Sequence, residues 1–338
     1  MKLNNLSKVL IFILFFVCTS CYSKKHISNN DWPLPDFQLG ISFYNGHHAP
    51  NYKNQLKDIK SAGFNNIRVF VNHFNPYEAG FTVFDEYGNL TNQIVGYGEL
   101  MNEAKKAGLI VNVTFWARYE NTLRSDKRKS IQPYLNGILN TTRFLINAGF
   151  DEHDFYLDVG NEHNDPIHVG GHISETDLRH ILETIRNEFP KIKLTASITG
   201  WMSPADASSY ATRVGLDILS YHEHRGKGLW RWDDMEGLTR ELQSVFKGPI
   251  FFDEPACSDY KHLAGYDNLD NELELVTTER LRTAYKGARK NGAKMWLLHH
   301  HACWPPNFPG LDRSGIIPKD MKKPEKDFFK NVRNFKNQ

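Results

Sequence analysis

Two short segments end in glutamates placed for bond-breaking chemistry: Asp158-Val159-Gly160-Asn161-Glu162 and Pro249-Ile250-Phe251-Phe252-Asp253-Glu254. Each is an apolar run of the kind that forms a buried strand, and each sets a carboxyl just past the strand end. If both strands belong to one barrel, the two carboxyls meet at the same rim. One carboxyl kept neutral beside another kept ionised is the pair that cleavage of a glycosidic bond requires. The first protonates the leaving oxygen and the second attacks the sugar carbon.

The elements that would hold these carboxyls recur along the chain. Runs rich in Val, Ile and Phe predict strands at 37–43, 66–71, 110–116, 154–159, 193–199, 218–222, 249–253 and 294–299. Helical stripes lie between them, such as Ile131, Leu135, Ile138, Leu139 and Leu145, or Leu178, Ile181, Leu182, Ile185 and Phe189, or Leu281, Ala284, Tyr285 and Ala288. Ser174-Glu175-Thr176-Asp177 opens one helix like a capping box, with Asp in the place of the usual Glu. Asn147-Ala148-Gly149 and Asn291-Gly292 read as helix stops. A last helix around Phe328, Phe329, Val332 and Phe335 would close the ring. Eight strand–helix repeats predict an α/β fold, a single-domain (β/α)8 TIM barrel over residues 34–338. No Gly-rich phosphate loop follows the first strand, which argues against a doubly wound nucleotide-binding sheet.

Active sites of such barrels lie at the C-terminal ends of the strands. The polar and aromatic residues there include Arg68, Trp116, Asn161, Glu162, Trp201, His222, His224, Glu254 and Trp304. Gly63-Phe64-Asn65-Asn66-Ile67-Arg68 resembles the Gly-x-Asn-x-x-Arg second strand of clan A glycoside hydrolases, the cellulase and mannanase relatives of family 5. Asn161-Glu162 on the fourth predicted strand and Glu254 on the seventh resemble that clan's acid/base and nucleophile. The resemblance implies retaining hydrolysis of β-glycosidic bonds in a poly- or oligosaccharide, with no cofactor and no metal. Glu254 would be the nucleophile and Glu162 the acid/base, their carboxyls about 5–5.5 Å apart. Asn161 would bond the sugar 2-OH, and Arg68 would hold Glu254 ionised. His222 or His224 would complete the supporting shell. The chain departs from the family pattern at three places: His163 stands where Pro is usual, Pro255 follows the nucleophile, and His224 stands where a Tyr normally orients it.

Trp116, Trp201 and Trp304, with Trp230 and Trp232, fall at the rim, where indoles could pack on sugar faces. Trp296 is mid-strand and reads as core. Asp158 and Asp253 read as structural, since strand alternation would turn Asp253 away from the side Glu254 faces. Glu223 reads as solvated. Two other functions stay open. One is a metal-dependent barrel hydrolase using strand-end histidines, among them His47-His48, His222, His224 and His299-His300-His301. Adjacent histidines on an extended segment point opposite ways and chelate poorly. The other is a barrel that binds glycans without cutting them, though both glutamates are present.

The 338 residues are 40% hydrophobic and 24% charged with net charge +2, a globular balance that suggests neither nucleic acid nor an anionic membrane as partner. Lys2 and Lys8 precede an apolar run at 9–17 that is too short to span a bilayer and fits a secretory signal. Cys18-Thr19-Ser20-Cys21 resembles a lipoprotein cleavage site, with Cys18 in the place of the usual Leu. This predicts a signal at 1–21, lipidation of Cys21, a polar tether at 22–33 and membrane contact through the lipid alone. The alternative is cleavage and release. Cys257 and Cys303 follow strands expected to be neighbours, and could form a disulfide or be small buried thiols.

Overall fold

The computed structural model describes residues 37–43, 51–72, 83–85, 87–115, 131–164, 173–223, 231, 234–254, 277–298 and 323–336. The described residues all belong to one compact unit, Pro35–Gln338. Nine strands alternate with eight helices among these residues. The strands are β1 (Gln38–Ser42), β2 (Asn66–Asn72), β3 (Ile110–Phe115), β4 (Phe155–Asp158), β5 (Lys193–Thr195), β6 (Ile198–Thr199), β7 (Leu219–His222), β8 (Ile250–Phe252) and β9 (Met295–Leu298). The helices are α1 (Tyr52–Ala62), α2 (Gln93–Lys106), α3 (Gln132–Asn147), α4 (Glu175–Glu188), α5 (Pro204–Val214), α6 (Met235–Leu242), α7 (Thr278–Lys290) and α8 (Lys323–Lys336).

The strands run parallel in the order β5-β4-β3-β2-β1-β9-β8-β7-β6. Its two ends, β5 and β6, are separated in sequence by Ala196 and Ser197 alone, so they are halves of one interrupted strand and the sheet closes on itself. The lower half pairs with β4 and the upper half with β7. Leu194 also accepts backbone bonds from Asp217 and Ile218, just before β7. The fold is therefore the expected TIM barrel, with the predicted strand at 193–199 broken in the middle.

Both faces of the strands are buried, which explains the unbroken apolar runs. Side chains alternate between the helix layer and the barrel interior. On β2, Asn66 bonds Gln38 of β1 and Tyr156 of β4, which fixes it inside the barrel. Arg68, two residues on, therefore also points inward, one layer nearer the C-terminal rim.

The helix stripes bury as their spacing predicts, with Leu178, Ile181, Leu182 and Ile185 of α4 all inaccessible. Ser174 caps α4 by accepting from the Asp177 backbone N–H at 3.1 Å. Its hydroxyl donates to the Asp177 carboxylate at 2.7 Å, so the shorter Asp closes the box on the hydroxyl. Trp296 is fully buried against Tyr285 and Phe328, the core position expected for it. Helix α8 packs on both α7 and α1 and completes the helical ring.

Candidate active site

Arg68, from within β2, meets Asn161, Glu162, His222 and Glu254 at the carboxyl-terminal ends of β4, β7 and β8 and just beyond them. Arg68 is fully buried and organises the group. Its Nη1 donates to Glu254 Oε1 at 2.5 Å, its Nη2 to Asp158 Oδ2 at 3.1 Å and Asn161 Oδ1 at 2.6 Å, and its Nε to Thr114 Oγ1 at 3.0 Å. Asp253 Oδ2 stands 3.7 Å from the same Nε. Because a guanidinium only donates, the Asn161 oxygen faces Arg68, and its amide nitrogen is the end left to point elsewhere.

His222 sits between the two glutamates. Its Nδ1 is 3.1 Å from Glu162 Oε1 and 3.6 Å from Glu254 Oε2, and its Nε2 is 3.1 Å from Asp253 Oδ1. Burial alone would depress the imidazole, but Glu254, Asp253 and Glu162 outweigh it and push it up to about 10. The surrounding carboxylates thus favour the imidazolium form of His222. Burial drives the Asp158 carboxyl above its ordinary range and Arg68 opposes it. For Asp253, burial is outweighed by Arg68 and His222, and the carboxyl is lowered.

A carboxylate oxygen of Glu162, a carboxylate oxygen of Glu254 and a ring nitrogen of His222 all lie within 4.8 Å of one another. Such a trio has the donor types of a metal site. Arg68 occupies Oε1 of Glu254, which leaves Oε2 on the His222 side.

Two expectations are corrected. Asp253 does not turn away from Glu254, because β8 ends at Phe252 and the chain bends through Asp253 and Glu254, so alternation no longer applies. Both carboxyls reach Arg68. Asp253 also accepts from Asn112 at 3.2 Å and from the Ser220 hydroxyl, which makes it a central member of the network. Glu223 is not solvated but buried, and its carboxylate accepts the Arg231 backbone N–H.

Glu162 is the one described non-glycine residue with positive φ, at 48°. Its backbone N–H donates to Ser197 Oγ at 3.1 Å, inside the break of the fifth barrel strand. The sequence reading missed Ser197, since a serine inside an apolar run carries no signal that the strand will break there. Trp201 follows β6 and is 54% exposed. Trp116, His224, Trp304, Trp230, Trp232, Cys21, Cys257, Cys303, and the histidines at 47, 48 and 299–301 lie outside the described residues.

This is a TIM barrel of the kind found in glycoside hydrolase family 5. The chain is similar to a GH5_18 structure from Streptomyces cattleya in complex with Manb1-4GlcNAc, with TM-score 0.60, 14% identity, and coverage of 89% of this chain and 81% of that one. It is similar to the exo-beta-1,4-mannosidase Op5Man5 from Opitutaceae bacterium strain TAV5, with TM-score 0.62 and 15% identity over 88% of this chain and 59% of that one. It is also similar to a beta-mannanase from Thermomonospora fusca, with TM-score 0.55 and 13% identity over 87% and 88% of the two chains. At these identities the likeness establishes the fold. No protein-family profile matches the sequence, and no curated protein matches it significantly.

Proposed function

We propose that the chain is a retaining β-glycoside hydrolase with Glu254 as nucleophile and Glu162 as acid/base. The observation that carries this reading is the approach of the two carboxylates. An oxygen of one lies within 4.8 Å of an oxygen of the other, an approach that supports the close carboxyl pair of a retaining enzyme, about 5–5.5 Å apart, over the wider inverting pair. The division of roles follows from the cations. A guanidinium, which never loses its proton, is bonded to Glu254 and favours its ionised form. Glu162 has no guanidinium on it among the described contacts; the group at hydrogen-bond distance is the His222 imidazole, 3.1 Å away.

A Glu254 oxygen attacks the anomeric carbon as the bond to the leaving oxygen breaks, and Glu162 gives that oxygen its proton. In the second half, Glu162 takes a proton from water. The water oxygen attacks the same carbon, Glu254 departs as carboxylate, and the β configuration is restored. Asn161, its oxygen engaged by Arg68, offers its amide N–H groups to a sugar hydroxyl.

The similar structures are named for mannose-linked sugars, so β-mannosides are the first substrates to try. The test is reducing-sugar release from β-linked mannans, glucans, xylans and galactans, with Glu254→Ala as the blank. Release by wild type and its loss in the variant are expected. Release that survives in the variant would remove Glu254 from the role.

We further propose export and lipidation at Cys21, on the strength of the N-terminal residues alone. Labelled palmitate should enter the full-length protein in a bacterial host and not its Cys21→Ser variant. Label in both, or in neither, counts against a Cys21 anchor.

A further inference from the structure

Ser197 is fully buried at the point where the fifth barrel strand breaks, and its polar groups all serve the loop that carries Glu162. Its N–H donates to Asp158 Oδ1 at 3.0 Å, the residue that ends β4. Its hydroxyl oxygen accepts the Glu162 N–H at 3.1 Å, and the same hydroxyl donates to Asn161 Oδ1 at 3.4 Å. Its carbonyl oxygen is 3.0 Å from His163 Nδ1. A carbonyl only accepts, so Nδ1 carries a proton there.

His163 is held from behind as well. Its Nε2 is 3.0 Å from the Tyr210 hydroxyl on α5, and the two rings stack at 5.5 Å. Burial pushes the Tyr210 phenol up to about 12, so it stays a donor. Gly160 closes the loop's other side: a β-carbon there would stand 3.0 Å from Ile173 and 3.2 Å from His163. All this surrounds a glutamate in the left-handed region, a conformation that L side chains disfavour and that persists where neighbours over-determine it.

We propose that Ser197, backed by His163 and Tyr210, is the positioning clamp that aims Glu162 at the leaving oxygen. The inference rests on the acid/base role proposed for Glu162. Loss of the clamp therefore costs most where proton donation matters most.

The test uses the full chain and two probes built on the sugar that the glycan panel identifies: its dinitrophenyl β-glycoside, whose leaving group departs without a proton, and its β-linked disaccharide, whose leaving group needs one. Ser197→Ala should lower kcat/KM on the disaccharide by about 10- to 100-fold, as expected for a misaimed catalytic group, and far less on the dinitrophenyl glycoside. The loss should fall in kcat with KM unchanged, and Ser197→Thr, which restores a hydroxyl, should recover it. His163→Ala removes the rear anchor, leaves Ser197 in place, and carries the same test if Ser197→Ala does not fold. Equal losses on the two probes, or no loss on either, overturn the clamp while the hydrolase reading stands. A wild type inactive on both probes sinks the hydrolase reading and the clamp with it.

Discussion

Arg68 is the residue on which the site depends, and it was legible in the sequence because a local motif places it on the second strand. Its carboxylate partners were legible only in part. Glu254 stood out at a strand end, but Asp253 was assigned to the wrong side because alternation was carried one residue beyond the strand. Ser220 and Asn112 sit inside apolar runs, where nothing local separates a buried polar ligand from a tolerated one.

The clearest residue-scale consequence concerns His222. Its folded pKa, about 10, lies above the ordinary 6.5 because Glu254, Asp253 and Glu162 face it and outweigh its burial. A raised cation stabilises the fold fully below about pH 6.5, and this contribution is lost as pH rises through 10. Unfolding free energies measured by urea across that window should therefore decline more steeply for wild type than for His222→Gln. Parallel curves would mean that the imidazole is not charged in the folded protein.

At the scale of elements, periodicity located every predicted strand and the helices α3, α4, α7 and α8, since two-faced burial and one-sided helix burial leave different patterns. The ends were less legible. The strand predicted at 249–253 is Ile250–Phe252, and the one at 154–159 is Phe155–Asp158. Each ends one residue short of its predicted bound. Helix α4, which follows the Glu162 loop, starts where its cap said it would. Ser174→Ala should cost about 1 kcal/mol in thermal or urea unfolding, the usual value of a lost hydroxyl cap. A change below a few tenths would show that the Asp177 side chain takes over the cap.

For the whole molecule, the sequence foretold the barrel but not where its ring is weakest. Closure through the last helix is apolar, with Phe328 and Phe329 of α8 packed on Trp296 and Phe64. Closure through the sheet is different. Between β5 and β6 the backbone ladder lapses for two residues, and the Ser197 N–H is held by Asp158, a carboxylate of the Arg68 cluster, in place of a neighbouring strand. Local opening is drawn from places where ladder bonds are few. The amide of Ser197 should therefore exchange with solvent deuterium earlier than those of β2 or β3. In rising urea, turnover should also fall before the circular dichroism of the sheet changes. Coincident transitions would show that the broken strand is as cooperative as the rest. On the acid/base role proposed for Glu162, the same break that frees Ser197 to bond the Glu162 loop would make loss of turnover an early reporter of the barrel beginning to open.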